Sequence, residues 1–394
     1  LTSRAPYPRG TTIVTEPRAL ADLAERFRHA PLVAFDTEFH GEKTFYPRLC
    51  LLQFATKDEV AVVDPLALED LSPLSAFLHD PAVLKVVHAG SQDMEILLRV
   101  TGALPAPVFD TQVAATVAGL PHQSSLASIV KEFLGMDLPK ASRYTDWSRR
   151  PLSQAQLEYA ANDVRFLPAV HDAIVATLER ENRIEWLAPE LARVSDPANY
   201  RQEPEEQFRR VKGHSALDRR SLGALLHLAA WRDREAQRRD LPRRWVVGDE
   251  TLIELARSRP DTEEGILAVR GASGKIRPKD ARGILDAVAA AEAMTEEELP
   301  RLPKRRRRPA DAESVVDLLN ALVRVRAREN GVAGQTLAPR SELDRLADGE
   351  TEGVPILAGW RKTMVGDELL ALLEGRIALA LVDGRITTVP VPSP

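Results

Sequence analysis

The chain has 394 residues, 44% of them hydrophobic and 28% charged, with a formal net charge of −5. That length accommodates two or three globular domains, and the composition excludes a fibrous or wholly disordered chain. The acidic balance excludes a uniformly basic nucleic-acid coat, and the single cysteine, Cys50, excludes an internal disulfide and a cysteine-based zinc site.

In chain order, residues 1–10 lack the apolar core of a signal peptide. The missing initiator Met is read as trimming or a non-standard start. No apolar run is long enough to span a bilayer, so no membrane partner is expected. One thiol fits a reducing cytosol, so a cytoplasmic location is expected. Residues 11–15 are β-rich. Residues 17–30 carry Leu20, Leu23, Ala24 and Phe27 at helical spacing. Residues 32–39 form a strand, a polar bend comes next with Gly41 and Pro47, and strands are expected over 49–55 and 60–64. Short connections suggest an antiparallel meander. Cys50 falls in an apolar run and is read as a core thiol. A helix is expected over 66–78, a strand over 83–88, a helix over 92–100, a strand over 108–111, and helices through Leu134. This alternation indicates an α/β domain with a mixed sheet.

The strand at 32–39 ends in Asp36-Thr37-Glu38. Strand alternation sends Asp36 and Glu38 to one face and Thr37 to the other. Adjacent carboxylates repel unless something neutralises them, and a hard divalent cation with oxygen ligands does so. Asp-x-Glu also occurs at 93–95, 261–263 and 311–313, so the pair gains weight only with further carboxylates downstream. Asp93 comes after Val87-His88-Ala89-Gly90-Ser91-Gln92, where Ser91 can cap a helix and place Asp93 in its first turn, favoured by the helix dipole. Acidic residues are also common there without any function. Ser153 with Gln156 fits a capping box, and Tyr159 and Asp163, four apart, share one face of the helix it starts. Leu157, Ala160, Val164 and Leu167 supply its packing face.

These stations resemble, in this order, the DEDD superfamily of 3′–5′ exonucleases, and within it the ribonuclease D family. The resemblance is carried by Phe35-Asp36-Thr37-Glu38-Phe39, Phe45-Tyr46-Pro47-Arg48-Leu49, Leu52-Gln53, His88-Ala89-Gly90-Ser91-Gln92-Asp93, Phe109-Asp110-Thr111-Gln112, Asp146-Trp147-Ser148-Arg149-Arg150-Pro151-Leu152 and Tyr159-Ala160-Ala161-Asn162-Asp163. It covers roughly residues 11–190 and implies an RNase H-like fold and, through Tyr159, the tyrosine branch. It also implies two divalent ions, Mg²⁺ or Mn²⁺, held by Asp36, Glu38, Asp93 and Asp163. Asp36 is expected to bridge the ions, Glu38 and Asp163 to complete the nucleophile-side site, and Asp93 to support the leaving-group site. Tyr159 is expected to orient the attacking water, and nucleoside 5′-monophosphates to leave from a 3′ end. Phe39, Tyr46 and His88 lie near the motifs and suit either terminal nucleotides or plain packing.

Beyond a Pro- and Glu-rich connector the chain reads as helical. Residues 208–293 resemble an HRDC (helicase and RNase D C-terminal) domain through Trp231-Arg232, Leu241-Pro242 and Trp245-Val246-Val247-Gly248-Asp249. A weak internal repeat pairs 232–235 with 326–329, and Leu252-x-x-Leu255-Ala256 with Leu343-x-x-Leu346-Ala347. It suggests a second, divergent HRDC copy over 313–394. The expected architecture is therefore an α/β exonuclease domain (1–190), a connector (191–207), and two small all-α HRDC domains separated by a basic linker (294–312). Arg305, Arg306, Arg307 and Arg308 in that linker suit either phosphate tracking or a solvated tether. The implied activity is trimming of tRNA precursors and other structured RNAs by a monomeric enzyme. The alternatives are a DNA-directed exonuclease, as in the Werner-helicase exonuclease domain, and an inactive RNA-binding scaffold. No helicase P-loop occurs here, and none of the four carboxylates is missing.

Overall fold

The structure is a computed structural model and describes residues 7–8, 10–138, 145–200, 203–274, 276–302 and 311–392. Two compact units are present. One comprises Leu1–Glu38, Leu51–Asn199 and Arg305–Pro394. The other comprises Phe39–Cys50 and Tyr200–Lys304.

In the first unit, β1 (Thr12–Val14), α1 (Pro17–Phe27), β2 (Leu32–His40), β3 (Arg48–Ala55) and β4 (Val60–Val63) precede α2 (Ser75–Leu78). β5 (Leu84–Val87), α3 (Ser91–Thr101), β6 (Val108–Asp110) and α4 (Thr111–Val117) come next, then α5 (Leu126–Leu134), α6 (Gln154–Arg165), α7 (Leu167–Arg180) and α8 (Ile184–Val194). The sheet order is β1-β4-β3-β2-β5-β6, with β3 antiparallel to β4, and β2, β5 and β6 parallel. The sheet is thus mixed, as expected, with β1 added as an edge parallel to β4. Helix α1 buries Leu20, Leu23, Ala24 and Phe27, the four residues its periodicity singled out. Cys50 is fully buried.

The helix expected over 66–78 is only a 3₁₀ turn at Ser72–Leu74 running into the four-residue α2. Pro73, which lacks an amide proton, sits at the start of that turn, so hydrogen bonding cannot run through from residue 66. Helix α8 extends through Val194 into the stretch read as a connector, with Pro189 inside it.

In β2, Leu32 and Ala34 belong to a core cluster with Ala161, Val164 and Leu167. Strand alternation then sends Asp36 and Glu38 to the face that α6 covers. Ala160 and Ala161 are fully buried, and their small side chains let the helix approach closely.

In the second unit, α9 (Arg219–Arg239), α10 (Arg243–Val246), α11 (Asp249–Ser258), α12 (Glu263–Ala268) and α13 (Pro278–Glu292) enclose a core of Phe208, Leu225, Leu228, Leu252, Leu255 and Ile284. Asp218 caps α9 by accepting from Ser221 N at 2.9 Å. The helix breaks before Leu241-Pro242, as its sequence suggests. Buried Arg232 then ties α9 to the next turn, donating to Asp249 Oδ1 at 2.7 Å and Val247 O at 3.1 Å.

Residues 311–392 return to the first unit. A long helix, a one-turn helix and a shorter helix occur in the order α14 (Ala312–Glu329), α15 (Gly334–Leu337) and α16 (Arg340–Ala347), the same succession as α9, α10 and α11. The likeness ends at Ala347. After α17 (Gly359–Arg361), a π-helical turn and α18 (Asp367–Leu373), the chain forms the antiparallel hairpin β7 (Ile377–Val382) and β8 (Arg385–Pro390). The expectation of an all-α C-terminal domain is therefore corrected. Asp383 and Gly384 have φ of 49° and 73° between paired Val382 and Arg385, the geometry of a type I′ turn. The Asp-Gly signal for it was legible in the sequence. This segment packs on α8. Trp186 and Trp360 stack at 4.8 Å with an interplanar angle of 8°, and Arg361 pairs with Glu190 at 3.0 Å.

Candidate active site

The four carboxylates come from three places that the fold brings together. Asp36 and Glu38 project from β2, Asp163 from α6 and Asp93 from the first turn of α3. Carboxylate oxygens of Asp36, Glu38 and Asp163 lie within 4.8 Å of one another. Asp93 stands outside that trio, yet its charge acts on Asp36 and Glu38.

Asp93 is held by Thr37. The Thr37 amide donates to Asp93 Oδ1 at 3.1 Å, and the Thr37 hydroxyl donates to the same oxygen. β5 ends at Val87, so beside Thr37 the place of a neighbouring strand is taken by the start of α3. Strand alternation led to Thr37 being set aside as facing away, and nothing in the Asp-Thr-Glu sequence signals this contact. The cap of α3 also differs from expectation. Gly90, not Ser91, is the N-cap, and no side chain caps the helix. A Cβ at Gly90 would lie 2.1 Å from Val87 Cγ2, so only glycine fits there.

Asp110, which the motifs left without a role, fixes the turn before α3. Its buried carboxylate accepts from Ala89 N at 3.2 Å, Gly90 N at 3.1 Å, Gln112 N at 2.8 Å and Val113 N at 3.3 Å. One side chain thus caps α4 and secures the turn that launches Asp93. Ala89 adopts φ of 55° there.

His88 is half-buried, with Nδ1 3.0 Å from Thr111 Oγ1, and the Thr111 hydroxyl donates to Val87 O at 3.0 Å. Thr111 has therefore used its proton, so His88 Nδ1 is the donor. Burial holds the His88 pKa below its ordinary value, which leaves a neutral ring with Nε2 as an acceptor.

Helix α6 begins with the expected capping box. Ser153 N donates to Gln156 Oε1 at 2.9 Å, and Gln156 N donates to Ser153 Oγ at 3.3 Å. Ala160, Val164 and Leu167 are buried as anticipated, whereas Leu157 is only half-buried. Tyr159 is half-buried, its ring 5.9 Å from that of buried Trp147. The segment carrying Trp147 is anchored through Arg150, which donates to Asp64 Oδ1 at 2.7 Å and to Trp147 O at 2.8 Å.

Phe39 and Tyr46 are half-buried and belong to the segment Phe39–Cys50 of the second unit. Arg305, Arg306, Arg307 and Arg308 lie outside the described residues.

The electrostatics point to a cation. Burial, then the charges of Asp93, Asp163 and Glu38, push Asp36 well above the usual carboxylate range. Burial, with Asp163 and Asp93, pushes Glu38 up to about 8. Burial also raises Asp93, although the Thr37 hydrogen bonds oppose that rise. Such a cluster is either protonated or neutralised by an ion, and its all-oxygen donor set fits a hard divalent cation. Asp36, Glu38 and Asp163 can hold one. The arrangement suits metal-assisted phosphodiester hydrolysis.

Residues 11–179 match the family described as 3′-5′ exonuclease, and residues 221–288 match the HRDC domain family. The chain is 44% identical over 391 residues to Ribonuclease D of Gluconacetobacter diazotrophicus, covering 99% of each chain. It is 43% identical over 388 residues to Ribonuclease D of Acidiphilium cryptum, covering 98% of each. It is also similar to the crystal structure of Escherichia coli RNase D, an exoribonuclease involved in structured RNA processing. That match has a TM-score of 0.80 and 32% identity, and covers 93% of this chain and 99% of that one.

Proposed function

Because the chain belongs to the ribonuclease D family and is a 3′–5′ exoribonuclease, we propose that it trims the 3′ ends of tRNA precursors and other structured RNAs at Asp36, Glu38, Asp93 and Asp163. The carrying observation is the convergence of Asp36, Glu38 and Asp163 to within 4.8 Å, with the charge of Asp93 acting on Asp36 and Glu38 and the carboxylates of Asp36, Glu38 and Asp93 held above their ordinary range. Asp36, Glu38 and Asp163 would hold one Mg²⁺ or Mn²⁺ and Asp36 with Asp93 a second. When bound, the pair supplies a water of lowered pKa and offsets charge on the leaving 3′ oxygen. Tyr159, four residues before Asp163 as in the tyrosine branch, orients that water. A phenol with an ordinary pKa of about 10 donates a hydrogen bond at neutral pH and does not take the proton. Phe39 and Tyr46 offer rings to the terminal nucleotides, and His88 Nε2 offers an acceptor to a hydroxyl or base N–H.

The HRDC domain supplies further RNA contact, and Arg305–Arg308 add a salt-sensitive phosphate track. The shared helix succession of α9–α11 and α14–α16 supports a second, divergent HRDC-like module ending in its own hairpin. We take the enzyme to work as a cytoplasmic monomer.

The test is digestion of a 3′-tailed tRNA precursor and matched single-stranded DNA, with Mg²⁺, Mn²⁺ or EDTA, resolved at single nucleotides. Metal-dependent trimming of the RNA that stalls at the folded stem is expected. Preference for DNA would favour a DNA-directed exonuclease, and binding without cleavage a scaffold. Asp36→Ala should bind RNA yet lose about 10⁴-fold or more in rate, the scale on which essential groups act. Wild-type cleavage by that variant would overturn the metal-site assignment.

A further inference from the structure

The motif Asp146–Leu152 carries none of the four catalytic carboxylates, yet it lies beside the helix that bears one of them. Helix α6 presents Tyr159 one turn before Asp163, on the face through which Asp163 meets Asp36 and Glu38. The Tyr159 ring packs beside Trp147, with centroids 5.9 Å apart and planes inclined at 40°. Trp147 is only 5% exposed, but residues 145–150 form neither helix nor strand. The place of the indole therefore depends on what ties that turn down.

Two external anchors do so, both within the first unit. At the start of the turn, Gln156 Nε2 in α6 donates to Thr145 Oγ1 at 2.9 Å. At its end, Arg150 donates through Nε and Nη2 to both carboxylate oxygens of Asp64, and through Nη1 to Trp147 O at 2.8 Å. One guanidinium thus joins the turn to the residue just past β4. Asp64 is itself held: its amide donates to Val14 O at 2.9 Å, and its Oδ1 accepts from Leu66 N at 2.9 Å. Burial alone would raise the Asp64 carboxyl, but Arg150 and the Leu66 amide hold it below its ordinary value, so it is ionised at neutral pH. A two-pronged, charge-assisted pair of this kind fixes direction as well as distance. Inside the turn, Asp146 accepts from Ser148 N at 3.0 Å and Arg149 Nε at 3.1 Å.

A helical tyrosine has two open χ1 wells, and a buried ring packed against it keeps it in one. The phenol oxygen lies at the far end of the side chain, so a change of well carries it away from its place. In a hydrolytic step, a misplacement of about 1 Å can cost about 100-fold.

We propose that Asp64 and Arg150 are positioning residues for hydrolysis: the pair holds Trp147 against Tyr159 and so fixes the Tyr159 phenol where it orients the attacking water. This rests on the reading of Tyr159 as the residue that orients that water.

The test uses the full chain and a short 5′-labelled single-stranded oligoribonucleotide, and reads the first-cleavage rate at saturating enzyme and Mg²⁺. Asp64→Asn keeps an oxygen for the Leu66 amide but removes the charge and one of the two bonds from Arg150. Arg150→Lys keeps the charge but cannot reach both Asp64 oxygens and the Trp147 carbonyl together. Either variant serves should the other fail to fold. Trp147→Leu removes the ring. Each is made alone and combined with Tyr159→Phe. Tyr159→Phe should slow cleavage about 100-fold. Asp64→Asn and Arg150→Lys should each slow it about five- to tenfold, and Trp147→Leu about tenfold or more. The enzyme and Mg²⁺ concentrations that give half the maximal rate should stay within about twofold of wild type. In the Tyr159→Phe background the same three changes should cost no more than about twofold further, because the group they position is already gone. Full additivity in that background would overturn the proposal. So would a raised Mg²⁺ requirement in the pair variants, since Asp163 shares α6 and the pair would then be supporting the helix as a whole. A native rate in the pair variants beside a slowed Tyr159→Phe would overturn the positioning role alone. A native rate in Tyr159→Phe would overturn the reading of Tyr159, and the proposal with it.

Discussion

Thr37→Val is the sharpest probe of how Asp93 is held. Valine replaces the hydroxyl with a methyl group of nearly the same size and keeps the β-branch that suits a strand. The backbone amide still donates to Asp93 Oδ1 at 3.1 Å, so one of two hydrogen bonds to that oxygen is removed. Thr37 is buried, with 5% of its surface exposed, so little water can replace the lost donor. A hydrogen bond to an ionised group is worth about 1.5–3 kcal/mol, or roughly ten- to a hundredfold in rate if it serves only the ionised, metal-holding form of Asp93. The loss should appear in kcat/KM for RNA digestion and be partly recovered at higher Mg²⁺. Thr37→Ser, which keeps the hydroxyl, should stay near wild type. Melting temperature should shift little. A Thr37→Val enzyme within twofold of wild type at limiting Mg²⁺ would show that the hydroxyl contact carries no catalytic weight.

Without metal, Glu38 titrates at about 8 in the folded chain against an ordinary 4.5, so the folded state binds more protons than the unfolded one between those values. Stability from this group is therefore full below about pH 4.5 and is lost as pH rises through about 8, on the order of a few kcal/mol. In EDTA the melting temperature should be lower at pH 8 than at pH 5.5, and Mg²⁺ should restore it mainly at pH 8; a metal effect of equal size at both pH values would contradict the cluster electrostatics. Gly90→Ala places a methyl 2.1 Å from Val87 Cγ2, and relieving that overlap by shifting the start of α3 should cost about 1–3 kcal/mol in urea denaturation and lower activity by displacing Asp93. Unchanged stability would mean that the turn relaxes freely. Trp186→Ala and Trp360→Ala, taken through a double-mutant cycle, should show coupling of about 0.5–1.5 kcal/mol from the stacked pair, and a value near zero would remove the stack as a source of cohesion.

The sequence by itself determined the parts that depend on local periodicity and local chemistry. Helix α1 shows its buried face in its spacing, the Ser153–Gln156 box marks the start of α6, and Leu241-Pro242 marks the break after α9. Alternation along β2 put Asp36 and Glu38 on one face, and a four-residue interval put Tyr159 and Asp163 on another. Where local signals were weighed wrongly, the reason is equally local. Pro73 stops the helix expected over 66–78, and Asp383-Gly384 announces a hairpin in a segment read as helical throughout. Only the tertiary structure decided the rest, because those contacts join groups far apart in the chain through atoms that carry no sequence pattern. Thr37 reaches Asp93 across 56 positions, Asp110 gathers the amides of Ala89 and Gly90, and Asp240 holds those of Phe45 and Tyr46. Backbone amides are present at nearly every residue, so composition cannot say which will be left over at a strand end or turn. That is settled only when the sheet, the helix starts and the turns are in place and a carboxylate is found within reach.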